Sequence, residues 1–400
     1  MPSVYIVGAT RTPVAKINGQ LSSCSVIELG GFAVEAAVKR SKVPVELIDH
    51  VYMGHALQAG TGQSPAKQVA IQAGLPATVE ATTINKVCAS GLKAVSLAAQ
   101  EIMLGHSCCQ VAGGMESMSN VPLYTRKGKR GSESTNGDQS FDGLKDGLES
   151  PFDGCLMGKY ADQLARRYHI SREDMDEYSL LAYERAAKAH SNGTFNDEII
   201  PVQAAGALSV QVSTDIMQNE KSFHILSTLP PAFSATGSIT SGSSSFLADG
   251  ASAVVLVNGD TARKYCEDKS LLAEILSFAD ASLPPPDFAV APSKAIKIAL
   301  ERARLTVDQV SLWEINEAFA VVVQVNQEIL ELDLQKVNIN GGAIALGHPL
   351  GNSGCRILVS LVHQLKPGQL GVAAICNGGG GATAVVVKRL EVSALTDPVE

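Results

Sequence analysis

Three residues, far apart along a 400-residue chain, could do nucleophilic and proton-transfer chemistry: Cys88, His348 and Cys376. A free cysteine has a pKa near ~8.5 and is mostly thiol at neutral pH, so a nucleophilic Cys88 needs a helix N-terminus and a base. Leu92, Val95, Ala98, Ala99, Ile102 and Met103 keep helical spacing after it, placing Cys88 near the start of a largely buried helix. Such a position predicts a lowered thiol pKa. His348 sits in a rigid turn between Gly347 and Pro349, ahead of a helix from about Gly351, and is the candidate base. Cys376 stands just before the glycine run Gly378 to Gly381. Glycine costs about 1 kcal/mol inside a regular element, so the run implies close backbone approach. Its N–H groups could form an oxyanion hole, worth ~10²–10³ in rate per donor. Taken singly, each feature has a plainer reading: a small buried hydrophobe, a loop histidine bonded to carbonyls, a tight turn before the strand Ala384 to Lys388.

The elements that must bring these residues together repeat within the chain. Leu29 to Leu57 aligns without a gap on Ala291 to Phe319, a shift of 262 positions. In each copy an amphipathic helix (Ala33, Val34, Ala37, Val38; Ala295, Ile296, Ala299, Leu300) leads to a strand, Val51 to Met53 or Leu312 to Ile315. Those strands end at Gly54-His55-Ala56 and Asn316-Glu317-Ala318. Further on, the strands Thr82 to Cys88 and Val372 to Cys376 each end in cysteine, which suggests that the two halves deliver matching thiols. Between the halves, Arg126 to Gly154 is rich in Gly, Ser, Asp and Lys, and weak periodicity continues to about Phe246, so this region reads as an insertion. One clear helix inside it runs from Ser171 to Ser191, capped by Ser171 with Asp174 and ended by Asn192-Gly193.

Composition narrows the function classes. Hydrophobic residues make up 45% and charged residues 18%, the profile of a packed α/β protein long enough for two or three domains. A net charge of −8 gives no basic field for nucleic acid, so a phosphorylated ligand must be held by local lysines, arginines and backbone N–H groups. No secretory pattern, peroxisomal tripeptide or spanning apolar run is present, and a cytoplasmic protein with no membrane partner is expected. The eight cysteines (Cys24, Cys88, Cys108, Cys109, Cys155, Cys266, Cys355, Cys376) lack CxxC spacing, and no His or carboxylate recurs at ligand spacing. Neither disulfides nor a metal site is expected.

Four segments together closely resemble the active-site signatures of the thiolase family, in the family's order: Asn85-Lys86-Val87-Cys88-Ala89-Ser90-Gly91, Asn316-Glu317-Ala318-Phe319-Ala320, Gly341 to Pro349, and Cys376 to Gly381. Thr10 to Pro13 and Gly113 to Met118 also fit. The resemblance implies an α/β thiolase fold: two pseudo-symmetric halves forming a layered α-β-α-β-α core with an inserted loop domain. It would divide the chain into residues 1–120 plus 246–270, an insertion over 121–245, and 271–400. It implies that Cys88 takes the acyl group, His348 activates it and Cys376 moves the α-carbon proton. Asn316 would hold a water that stabilises the enolate with His348, and N–H groups of Cys88 and Gly378 would stabilise the tetrahedral intermediate.

The Val-Cys-Ala-Ser-Gly form of the motif and Met157-Gly158 resemble the short-chain branch, acting on acetyl-CoA, acetoacetyl-CoA and CoA. Met157, Phe288 and Phe319 would wall the acyl pocket, with Leu148, Ser245, Leu247, Ala318 and Lys221 as further substrate or CoA contacts. No organic cofactor is implied, potassium is a possibility near the serine loop, and a homo-dimer or homotetramer is expected. Two positions depart from the family. Leu156 stands where relatives commonly have histidine, and Ser241 to Phe246 replaces Ala-Gly-Asn-Ala-Ser-Gly while keeping Ser245. A broader 3-ketoacyl-CoA thiolase and a non-catalytic acyl-lipid carrier are the competing readings; both cysteines and His348 argue against the carrier.

Overall fold

The computed structural model describes residues 2–126, 139–204, 210–212, 223–266 and 272–390. The strands that frame the site are β1 Val4–Arg11, β2 His50–Gly54, β3 Glu80–Ile84, β4 Cys109–Ser117, β5 Ala248–Asn258, β6 Ala273–Ser282, β7 Leu312–Ile315, β8 Leu370–Asn377 and β9 Gly381–Arg389. The helices are α1 Val26–Ser41, α2 Ser90–Met103, α3 Met157–Arg167, α4 Arg172–Ser191, α5 Ala291–Ala303 and α6 Leu350–Gln364. Neighbouring strands run β7-β8-β9-β6-β1-β5-β4-β2-β3, with the short strand Ala15–Lys16 on β5.

The duplication read from the sequence is a duplication of structure. Ser25 caps α1 through a capping box with Glu28, and the helix stops at Lys42, which is left-handed at φ 62°. Its counterpart α5 stops in the same way at Arg304, φ 56°, 262 positions later. β2 pairs in parallel with β4, which runs antiparallel to β5, itself antiparallel to β1. The second half repeats this as β7 with β8, β8 with β9, and β9 with β6. Even β3, parallel to β2, has its match in the single parallel bridge of Val337 to Trp313 on β7. The two half-sheets fuse where Val4 to Ile6 of β1 pairs with Ala273 to Ile275 of β6, so one sheet runs through both halves.

That pattern corrects the expected equivalence of the two thiols. β3 ends at Ile84, and Cys88 lies beyond it, two residues before α2. Cys376 lies on β8, whose counterpart is β4, not β3. The residue that matches Cys88 in position is His348, two residues before α6. Both cysteines follow a short strand, β-branched before Cys88 and apolar before Cys376, and sequence alone does not say which strand of a half each one is.

α2 and α6 form the middle layer, and Leu92, Val95, Ile102, Ile357, Leu358 and Leu361 are buried there against both half-sheets. Each such side chain contributes roughly 1.5–3 kcal/mol. The two helices touch backbone to backbone: a Cβ on Gly91 would lie 2.7 Å from Gly351 O, and one on Gly354 would lie 2.6 Å from Leu92 N. α1 closes the outer face of the first half and α5 that of the second, which gives the expected five layers. In the inserted region α4 begins at the expected Ser171–Asp174 capping box, and its Met175, Tyr178, Ala182 and Ala186 pack into the second half's core. Among the described residues no helix is long and apolar enough to cross a membrane, and no group of three His, Cys, Asp or Glu could hold a metal ion.

Candidate active site

Cys88 is presented by a tight turn. Ala89 N and Ser90 N donate to Lys86 O and Val87 O at 3.0 and 3.2 Å, the Ser90 hydroxyl donates to Val87 O at 2.6 Å, and Asn85 Oδ1 accepts from Val87 N at 3.0 Å. Val87 pays for this shape with φ +49°, a region a β-branched residue rarely enters. The thiol is half-buried on the wall of a cavity, and the burial it has pushes it up to about 11. The Gly378 N–H and its own N–H pull the other way, and the nearby Glu116 carboxylate adds to the rise. The lowered pKa expected at a helix N-terminus is thus overturned: desolvation of the thiolate outweighs the donors aimed at it. Cys88 rests as a thiol and needs a base.

His348 supplies one. Gly347, at φ +101° and pressed against the Phe246 ring, turns the chain so that His348 N donates to Phe246 O at 3.0 Å. Ser353 Oγ donates to Pro349 O at 2.9 Å, so at its 2.6 Å contact with His348 it can only accept, from Nδ1–H. That assigns the proton to Nδ1 and leaves the Nε2 lone pair free. Among the described residues Nε2 is buried with no partner. Burial, with Arg356 further along α6 adding repulsion, pulls the imidazole down to about 3. It is a neutral base poised to accept.

Glu317 braces this turn: its carboxylate accepts from Tyr178 OH at 2.7 Å, Asn338 Nδ2 at 2.9 Å and Ile344 N at 3.0 Å. Glu116 does the same for α6, accepting from Gly351 N at 2.8 Å and from Ala56 N and Leu57 N at 3.0 and 3.1 Å. Cys376, at the end of β8, is pushed far up, first by burial and then by the charge Cys88 would carry, which places the two sulfurs within electrostatic reach of each other. Asn316, anchored by its N–H to Ala374 O at 3.0 Å, is buried with neither side-chain atom partnered among the described residues. Such a pair of orphaned atoms is what a bound water would satisfy.

The glycine run does several jobs. Gly380, at φ +88°, has its missing Cβ 2.2 Å from Leu283 O, so only glycine fits; Gly378 faces nothing closer than a Val87 methyl at 3.5 Å, and its N–H meets the Cys88 sulfur. Asn377, which the sequence reading passed over, ties the turn by donating to Gly378 O at 2.7 Å.

One apolar cavity of ≈ 150 Å³ takes in Cys88, His348, Cys376 and Gly378 together with Leu148, Met157, Ser245, Leu247, Phe288, Ala318 and Phe319. Asn316 is not on its wall, and Lys221 lies outside the described residues. Leu156 lines it as an apolar wall. Phe233, Gly158, Phe246 and Leu350 also line it and were missed. Phe233 packs edge-to-face on Phe319 at 5.7 Å and sits over Gly158, where a Cβ would be 2.2 Å from the ring. The only signal for it was the Pro230-Pro231 turn just before. Ser245 Oγ donates to Ala318 O at 3.0 Å, and Ser244 Oγ donates to Thr240 O at 2.6 Å.

Two matching halves that meet over a thiol-lined acyl cavity define a class of enzyme, the acyltransferases that hand a group from one thiol to another. Family models agree: the thiolase N-terminal domain matches residues 4–260 and the thiolase C-terminal domain residues 269–389. The mitochondrial acetyl-CoA acetyltransferase FG05087 of Gibberella zeae is 51% identical over 98% of this chain and 92% of its own. The mitochondrial acetyl-CoA acetyltransferase erg10A of Aspergillus fumigatus is 50% identical over 97% and 90%. The crystal structure of the Acat5 thiolase from Ascaris suum in complex with coenzyme A superposes with a TM-score of 0.90 at 41% identity, covering 97% of this chain and 100% of that one. This chain belongs to the thiolase family, and it is an acyltransferase. The expected cytoplasmic location is overturned by the same relatives, whose names place them in the mitochondrion. Tests for secretory and peroxisomal signals do not address mitochondrial import.

Proposed function

We propose that this chain is an acetyl-CoA C-acetyltransferase that condenses two acetyl-CoA into acetoacetyl-CoA and CoA, and reverses that reaction, through an acetyl group on Cys88. The observation that carries the reading is the convergence of Cys88, His348 and Cys376 on one cavity, with the Gly378 N–H on the Cys88 sulfur and a free lone pair on His348. His348 Nε2 takes the Cys88 proton as the sulfur attacks the thioester carbonyl, and the oxyanion is held by the N–H groups of Cys88 and Gly378. The tetrahedral adduct expels CoA, which takes its proton from the Cys376 thiol and leaves as a thiol, so Cys376 becomes a thiolate while His348 keeps the Cys88 proton on Nε2. Cys376, as thiolate, then removes a proton from the methyl of a second acetyl-CoA. A water on Asn316, with His348, holds the enolate oxygen, and the carbanion attacks the acetyl-Cys88 carbonyl. Collapse releases acetoacetyl-CoA and expels Cys88 as a thiolate, which takes its proton back from His348 Nε2, while Cys376 keeps the proton it took from the methyl.

Every step uses side chains, N–H groups and water, so no organic cofactor enters it. An apolar cavity of this volume holds a ligand of about benzene's size, which fits the six heavy atoms of acetoacetyl and favours the short-chain substrate over a broad-range thiolase. Ser245, Leu247 and Ala318 line the approach for pantetheine. β3, an edge strand paired on one side, supports assembly of the chain as a homo-dimer or homotetramer. Mass spectrometry after incubation with acetyl-CoA tests the roles. The acetyl label is expected on Cys88, to vanish in Cys88→Ala and to persist in Cys376→Ala, which should no longer condense. Label on Cys376, or on neither residue of an active enzyme, overturns the assignment.

A further inference from the structure

The turn that carries Cys88 belongs to the first half, and the Gly378 N–H that meets its sulfur belongs to the second. Their alignment therefore depends on whatever fastens one half to the other at this point. The main-chain bonds of the Cys88 turn run within residues 85–93, all in the first half, and fix its shape but not its place against β8 and β9.

Lys86 makes that connection. Its Nζ donates to Asp280 Oδ1 at 2.5 Å, Thr383 Oγ1 at 2.8 Å and Ala382 O at 3.1 Å. Asp280 on β6 and Thr383 on β9 are register partners, and the Thr383 hydroxyl donates to the same carboxylate at 2.7 Å. Ala382 and Thr383 lie at the start of the strand that leaves the Gly378 turn. Lys93, one turn into α2, grips Asp280 Oδ2 at 2.7 Å and touches nothing of β9 among its side-chain bonds. Burial works to raise the Asp280 carboxyl, but the bonds from Lys86, Lys93 and Thr383 hold it at about 2, so Asp280 is a carboxylate at neutral pH, while burial works to lower the Lys86 ammonium.

We propose that Lys86 and Asp280 are positioning residues for the acyl transfer: a clamp between the two halves that sets the Cys88 sulfur against the Gly378 N–H. It rests on the reading of Cys88 as nucleophile. Lys86 adjoins the strained Val87, so a turn released from the clamp has a relaxed backbone to fall into. The side chains of Lys86 and Asp280 are 23% and 41% exposed, and ion pairs so placed add little to folding stability. A purely structural pair and a positioning pair thus differ in what they move.

The test compares Lys86→Met, Asp280→Asn, Lys86→Arg and Lys93→Met in the full chain. Readouts are kcat and KM for thiolysis of acetoacetyl-CoA, the rate of Cys88 acetylation by acetyl-CoA, and the melting temperature. Lys86→Met and Asp280→Asn are each expected to lower kcat and the acetylation rate about 10- to 100-fold, because displacement of an angstrom at a reacting atom costs that much, with KM nearly unchanged. The double variant should lose no more than the worse single one. Lys86→Arg should recover part of the loss, and Lys93→Met should cost clearly less than Lys86→Met. If Lys86→Met fails to fold, Asp280→Asn carries the comparison. Acetylation within about twofold of the parent in Lys86→Met or Asp280→Asn overturns the proposal, as does a loss that only follows melting temperature and is matched by Lys93→Met. A parent enzyme with no label on Cys88 defeats the functional reading instead, and the clamp with it.

Discussion

At the N-terminus of α2 the chain presents Cys88, and at the matching N-terminus of α6 it presents His348. The frames are the same: parallel pairing, then a turn, then a helix in the middle layer. The means of support differ. The first turn is held by short bonds around a strained Val87 and by Lys86 reaching into the other half. The second is held from beneath by the buried Glu317, with Gly347 relieving the backbone. The aligned positions around them diverge in kind, Gly54 against Asn316 and His55 against Glu317. Duplication supplied two equivalent mounting points, and chemistry came from making them unlike, one a proton donor and the other an acceptor.

The contrast can be broken most severely by removing the acceptor. His348→Asn is expected to lower the rate of Cys88 acetylation about 10²–10⁴-fold, measured by quenched acetylation with acetyl-CoA. The same variant reports on stability. The imidazole falls from 6.5 to about 3 on folding, so the unfolded chain takes up its proton first and the folded state loses this contribution as pH drops from 6.5 towards 3. The acid side of a melting-temperature profile should be flatter in His348→Asn than in the parent. Next in size is Asn316→Leu, which removes the seat of the enolate-holding water. Condensation should fall about 10²–10³-fold while acetylation of Cys88 changes far less, because only the second half-reaction makes an enolate. The smallest effect separates two neighbouring glycines. Gly380→Ala should cost about 1–3 kcal/mol in chemical denaturation, given its left-handed φ and the Leu283 carbonyl against it, whereas Gly378→Ala should stay within about 0.5 kcal/mol.

Local sequence carried the repeat, the capped helix from Ser171 and the residues that share the cavity, because caps, periodicity and glycine runs are written in adjacent residues. It did not carry the strand to which Cys376 belongs, since β3, rich in β-branched residues, and the apolar β8 both read simply as strands ahead of a cysteine and only pairing tells them apart. It gave the wrong direction for Cys88, because a helix N-terminus is visible in the sequence and the depth of burial is not. Phe233 escaped notice because a loop residue has no period, and the role of Glu317 because its partners Tyr178 and Asn338 come from distant segments.

The contact of Gly91 with Gly351 and of Gly354 with Leu92 joins the two reactive centres mechanically. Nucleophile and base each sit two residues ahead of a helix, and those helices are bolted together at a point with no slack for a single methyl group. Proton-transfer distance is therefore set by the crossing itself. A small residue larger than glycine at 91 or 354 would act as a shim, changing that distance without replacing any reacting group.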